Sequence, residues 1–184
     1  TEGTTVSDFD DAEVRQQRSV GLALAPVVVD GVKINFLDTP GYADFVGDLR
    51  AGLRAADAAL FVVSAVDGVD GGTQMLWEEC AAVGMPRAVV VARLDHPRAD
   101  VDELVAICQR VFGEGVLPLY LPMHADNGTV GGLFGLLSQQ VSDYTSGARV
   151  VRDPDSEHVP LIENARGALI EGIIAESEDE TLMD

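Results

Sequence analysis

The chain has 184 residues, is 47% hydrophobic and carries a formal net charge of −19. That length can bury one core and a small second one, while the acidic surface repels phosphate backbones and so excludes direct nucleic-acid binding as the function of this piece. No apolar stretch approaches the roughly 18 residues a membrane span needs, and residues 1–10 lack a basic region followed by an apolar run, so the expectation is a cytoplasmic location with no membrane partner.

The first regular elements expected are two β-branched apolar segments, Pro26 to Asp30 and Val32 to Leu37, joined at Asp30-Gly31 as a β-hairpin. The lone lysine, Lys33, falls at the start of the second strand. After the Pro40-Gly41 break, Phe45, Val46, Leu49 and Leu53 recur at helical spacing, with Asp44, Asp48 and Arg50 on the wet face. A strand over Ala58 to Ser64, a helix over Thr73 to Val83 and a strand over Ala88 to Ala92 repeat the alternation, which implies parallel strands. A second apolar stripe, Val101, Leu104, Val105, Cys108, Val111 and Phe112, opens with Asp100 as N-cap and Glu103 three residues on.

The pattern changes after Gly113-Glu114-Gly115, where a strand over Leu117 to Leu121 leads into a glycine-rich stretch, Gly128 to Gly135. A smaller subdomain is expected to begin there. Arg152 to Glu157 reads as a surface loop, and Pro160 starts a last helix whose apolar face would be Leu161, Ala165, Ala168, Leu169 and Ile173. The acidic run Glu176 to Glu180 reads as a solvated helix end. Cys80 and Cys108 lie in apolar helical patterns and are expected as buried free thiols. Trp77 reads as a packing residue; His96, His124 and His158 lack metal-ligand spacing and read as loop residues.

In a sheet of alternating strands and helices, ligands sit beyond the carboxyl ends of the strands, which directs attention to Asp38 to Gly41 and to Ala92 to Asp95. A carboxylate followed by a glycine at such an end suits a hydrated Mg²⁺ beside a terminal phosphate, because glycine lets the backbone approach the phosphate and swing when it leaves. The same four residues also suit a plain turn, and Asp95 also suits a cap or turn ahead of Pro97. The pattern by itself leaves both readings open.

Context narrows it. Asp38-Thr39-Pro40-Gly41-Tyr42-Ala43-Asp44-Phe45 resembles the switch II signature of the translational GTPases, D-T-P-G-H-x-D-F, at seven of eight positions. Ser64-Ala65-Val66-Asp67-Gly68-Val69 with Thr73-Gln74 and Trp77, and Met85-Pro86-Arg87 leading to Asp95, are similar to segments of elongation factor G. Thr4 to Asp8 with Val14 to Leu24 corresponds to switch I, and Leu117 onward to the insert that elongation factor G carries in its G domain.

The fold this resemblance implies is α/β, a three-layer, mostly parallel sheet of P-loop GTPase type with an inserted α+β subdomain. The chain would be truncated at both ends, with residues 1–113 as GTPase core and 114–184 as an incomplete insert. It also implies GTP/GDP and Mg²⁺ as ligands of the intact protein, and the ribosome with its stalk proteins as partner. Residue by residue, Asp38 would sit near Mg²⁺ through water, Thr39, Pro40 and the Gly41 N–H would lie by the phosphates, and Tyr42 would stand where the family has its water-positioning histidine. Arg93 and Asp95 would meet the guanine, Asp95 accepting from its N1–H and 2-amino group.

Four positions depart from the family pattern. The N-K-x-D motif reads Ala92-Arg93-Leu94-Asp95, Tyr42 replaces histidine, and Arg18-Ser19-Val20-Gly21 replaces R-G-I-T, leaving Ser19 as the hydroxyl nearest the lost threonine. No G-x-x-x-x-G-K-[ST] occurs, so the main phosphate loop and its strand are expected upstream of Thr1. Two functions follow as expectations: the central part of a GTP-hydrolysing domain that binds nucleotide poorly in isolation, or a degenerate GTPase fold kept as a ribosome- or protein-docking module. A receiver-type domain would need a lysine at a strand's carboxyl end, where Lys33 does not stand.

Overall fold

The computed structural model describes residues 5–125 and 128–177. Thr4 of the switch I segment and residues 178–180 of the acidic run lie outside them. The described residues divide into two compact units, one drawn from 1–62 and 70–90 and the other from 63–69 and 91–184.

In the first unit, helix α1 (Asp11–Gln16) is an element the sequence reading does not anticipate. Asp10 caps it, with Glu13 reaching back to the cap backbone, and Gln17 ends it in the left-handed region at φ 53°. Strands β1 (Ala23–Val29) and β2 (Val32–Asp38) form the expected antiparallel hairpin, pairing Val27 with Ile34 and Ala25 with Phe36. Its two-residue turn takes φ 49° at Asp30 and 81° at Gly31, as a right-twisted hairpin requires. One hairpin face carries Val27, Val29, Val32, Ile34 and Phe36, all exposed.

A 3-10 turn (Ala43–Phe45) runs into α2 (Val46–Leu53), which buries Leu49. Helix α3 (Gly71–Ala82) is capped by Asp70, whose carboxylate accepts from the Thr73 N–H at 2.7 Å. Arg50 of α2 makes two hydrogen bonds to Glu79 of α3, at 3.0 and 2.6 Å. Trp77 packs edge-on to Phe61 at 5.0 Å and lies under the Arg87 guanidinium at 4.4 Å, the packing role expected of it.

Strands β3 (Ala59–Ser64) and β4 (Arg87–Ala92) form a two-stranded sheet. The Ala59 N–H donates to the Pro86 carbonyl at 2.8 Å and the Ala65 N–H to the Ala92 carbonyl at 2.9 Å. Both chains advance in the same sense, so this pair is parallel. Among the described residues the parallel pairing read from the strand-helix alternation is confined to these two strands, and the other two sheets are antiparallel.

In the second unit, α4 (Val101–Phe112) starts where the sequence places it, with the Asp100 carboxylate accepting from the Glu103 N–H, and buries Leu104 and Cys108. An antiparallel sheet follows in the order β5 (Tyr120–His124), β6 (Val130–Gly135), β7 (Val141–Asp143), β8 (Val150–Arg152). The strand expected from Leu117 begins three residues later, because Pro118 has no N–H to give a ladder and Leu117 instead packs beside Gly172. His124 ends β5, so it is a strand residue and not a loop one.

Most of the glycine-rich stretch forms strand β6. A Cβ on Gly132 would lie 2.7 Å from the Ser142 carbonyl oxygen and 3.3 Å from the Asp143 Cα, so β6 and β7 approach where only hydrogen fits. Helix α5 (Val159–Ser177) covers the sheet with Ile162 and Leu169 buried and Ala165 partly so. Ala165 and Leu169 thus lie on the face expected from sequence, whereas Leu161 at 52%, Ala168 and Ile173 are exposed. Spacing alone fits either neighbouring stripe; the sheet selects the one that meets Met123, Phe134, Leu136 and Val141.

Both cysteines are buried and free, and burial pushes both thiols up from their ordinary pKa. Among the described residues no helix is long and apolar enough to cross a membrane, and no cluster of three or more metal-ligating side chains occurs.

Candidate functional site

The first group of candidate residues lies in the first unit, where β2 ends. Pro40 is fully buried and Thr39 half-buried, close to Gly52 of α2, so a Cβ there would meet the Thr39 methyl at 3.1 Å. These two anchors turn the flanking residues outward. Asp38 and Gly41 are exposed, and the Asp38 carboxylate has no hydrogen bond or ion pair among the described residues. A Cβ on Gly41 would meet nothing within 4 Å, so the space beside its backbone is open.

Tyr42 is 53% exposed, and the Arg18 guanidinium stands 4.8 Å from its ring centroid. The segment after α1 is therefore in contact with the tyrosine that follows the glycine. Ser19, the hydroxyl nearest the family's lost threonine, donates to the Asp8 carboxylate at 2.7 Å, which fixes where its oxygen points. Neither contact is visible in linear spacing.

Glu13 holds this segment together. It is buried, and its carboxylate accepts from the Phe9 and Asp10 N–H groups at 3.1 Å and from Val20 at 3.3 Å. These bonds, the one from Asp10 foremost, hold its pKa below the ordinary glutamate value. The Asp10-x-x-Glu13 spacing is the capping-box signal that would have found it. A group depressed in the folded state contributes stability above its unfolded pKa, about 4.3, and loses it as pH falls through the lower folded value. The amides of Phe9, Asp10 and Val20 are expected to lose hydrogen-exchange protection as pH falls below the ordinary glutamate range. Glu13→Gln is expected to lose the same protection at neutral pH.

The second group lies in the second unit. Asp95 sits in the turn after β4, exposed, and its carboxylate too has no partner among the described residues. Arg93 adopts φ 62°, and its guanidinium bonds Asp67 at 2.7 Å. Ser64 donates to the same Asp67 oxygen at 2.8 Å. Ser64 first, with Arg93 and Arg98, holds the Asp67 carboxyl below the usual aspartate range. In the sequence Asp67 stands only as part of a resemblance, with no role.

Beside this turn a cavity of about 130 Å³ is lined by residues including Leu94, His96, Pro97 and His124. The Nδ1 of His96 accepts from the Arg98 N–H at 3.1 Å. The structure thus keeps Asp38 to Tyr42 contiguous in one unit, and Arg93 with Asp95 in the other.

Chemically, the two carboxylates can each accept hydrogen bonds or face a hydrated cation, and neither has an ion-pair partner among the described residues. In the first unit, an open glycine backbone beside an aspartate with no partner among the described residues, at a strand end, fits a hydrated Mg²⁺ beside a phosphate.

The sequence family described as the elongation factor Tu GTP binding domain matches residues 1–177. An elongation factor G-like protein of Mycobacterium tuberculosis is 61% identical over 184 residues, 100% of this chain and 25% of that protein. Elongation factor G 2 of Streptomyces coelicolor is 33% identical over 130 residues, 71% of this chain and 19% of that protein. A crystal structure of a Thermus thermophilus protein matches with a TM-score of 0.88 at 34% identity, covering 99% of this chain and 27% of that one. The chain spans about a quarter of the length of the M. tuberculosis relative.

Proposed function

We infer, from the premise that this chain belongs to the elongation factor Tu GTP-binding domain family, that it is the central part of the GTP-binding and GTP-hydrolysing domain of an elongation factor G-like translation factor. The observation that carries this reading is the loop after β2, in which buried Pro40 and half-buried Thr39 present an unpaired Asp38 and an open Gly41 backbone to solvent. In the reading, Asp38 holds Mg²⁺ through water, the Gly41 N–H meets the terminal phosphate with Thr39 and Pro40 shaping the loop, Arg93 covers the base and Asp95 accepts from guanine. Bound Mg²⁺ would supply positive charge beside the phosphate oxygens. Tyr42 orients the attacking water through its phenolic hydroxyl.

The same reading takes residues 1–113 as the core of a three-layer, mostly parallel sheet and 114–184 as the inserted subdomain. It makes the ribosome and its stalk the partner, through protein contacts, in the cytoplasm. The 184-residue chain alone binds GTP poorly, because it contains no G-x-x-x-x-G-K-[ST] cradle, the source of most phosphate affinity.

A second reading, a GTPase fold retained for docking, draws on Tyr42, Gly21 and Ala92 in place of family residues. GTP turnover by the full-length protein, with and without ribosomes, separates the two. Ribosome-stimulated hydrolysis is the expected result; nucleotide binding without turnover under either condition would favour docking.

A further inference from the structure

The turn that carries Arg93 and Asp95 is laced to the loop after β3. The Ala65 N–H donates to the Ala92 carbonyl at 2.9 Å and the Asp100 N–H to the Ala65 carbonyl at 3.4 Å, so both ends of the turn hang from one residue. The β3 loop is itself fixed: the Ser64 hydroxyl accepts from the Val66 and Asp67 N–H groups at 3.2 Å and donates to Asp67, while the Gly68 N–H closes onto the Ser64 carbonyl at 3.0 Å. Asp67 is thus held in place before it meets Arg93.

Arg93 needs such a hold. Its φ of 62° lies in the left-handed region that a side chain bearing a Cβ rarely adopts, and conformations of this kind persist where the surroundings over-determine them. The preceding residue, Ala92, has no polar side chain with which to brace the turn. The Arg93–Asp67 pair is half exposed on both sides, where ion pairs add little to stability. Its effect is geometric: tied at the guanidinium and at the backbone, the alkyl stem of Arg93 is stretched between two fixed points, a preformed apolar wall for a planar base.

We propose that Asp67, held by Ser64, is a positioning residue for guanine recognition that fixes Arg93 and the Asp95 turn in place of the side chain Ala92 lacks. This rests on the reading of Arg93 and Asp95 given above. Because the turn is set before the base arrives, removing the tether raises the cost of ordering it and blurs the alignment of Asp95 on the guanine edge, while phosphate contacts elsewhere are untouched.

The test is calorimetric titration of the full-length protein with GDP and with IDP, which lacks the 2-amino group, for the unsubstituted protein, Asp67→Asn, Asp67→Glu and Arg93→Gln. Asp67→Asn is expected to weaken GDP about ten-fold and IDP less, narrowing the GDP-over-IDP ratio. Asp67→Glu is expected to recover most of the loss, and adding Asp67→Asn to Arg93→Gln to change nothing further. Asp67→Asn with unchanged GDP affinity, or with equal losses for GDP and IDP, overturns the proposal while leaving the site reading intact. Failure of the unsubstituted protein to bind GDP overturns both.

Discussion

Phe134→Ala is expected to destabilise the second unit by about 3–5 kcal/mol, the usual cost of truncating a buried aromatic whose surroundings cannot close the void. Phe134 is 3% exposed and sits among Met123, Leu136, Val141, Ile162 and Leu169. Its neighbours are poorly able to collapse: β6 is held against β7 by the Gly132 approach, and the His158 ring lies 5.0 Å from the Phe134 ring. A domain has on the order of 5–15 kcal/mol in total, so the loss takes a large share. Urea unfolding read by hydrogen exchange at Val130 to Gly135 measures it. A loss under about 1 kcal/mol would mean that the β5–β8 sheet and α5 do not share the core described.

Asp95→Asn is expected to weaken GDP binding to the full-length protein roughly 100-fold, about 2.7 kcal/mol. A carboxylate accepts from both the N1–H and the 2-amino group of guanine, two charge-assisted hydrogen bonds; an amide keeps one neutral acceptor and turns a donor toward the 2-amino group. Xanthine carries a carbonyl where guanine carries that amine, so the variant should gain affinity for XDP. Because the Asp95 carboxylate serves no partner among the described residues, the substitution should leave folding unchanged, which circular dichroism checks. Unaltered GDP affinity would remove Asp95 from the site.

What the sequence made legible was local. The Asp30-Gly31 hairpin, the Asp100 cap and the apolar strands at 58–64 and 88–92 depend on neighbours within a few residues, and each stands where the periodicity put it. What needed tertiary contact was not legible. The glycine-rich stretch carries no element assignment in the sequence, because nothing in linear order announces the backbone of β7 across from Gly132. In α5, Ala165 and Leu169 keep the expected face while Ile162 is buried in place of Leu161; the two are equally apolar, and only the sheet chooses between them.

The candidate site divides in the same way. Asp38 to Gly41 and Asp95 are singled out by motif, but their exposure is not, since it depends on Pro40 being buried and on both carboxylates having no partner among the described residues. The Arg18–Tyr42 contact and the Asp67 bond to Arg93 join residues 24 and 26 positions apart, beyond the reach of pattern. Glu13 is the exception, a structural residue whose capping spacing is written in the sequence.

The most direct measurement is a crystal structure of the full-length protein with Mg²⁺ and a non-hydrolysable GTP analogue. The account predicts a single nucleotide with Asp38 on the metal's water shell, the Gly41 N–H on the γ-phosphate and the Asp95 carboxylate on the guanine edge. A nucleotide that meets Asp38 and not Asp95, or neither, would contradict it.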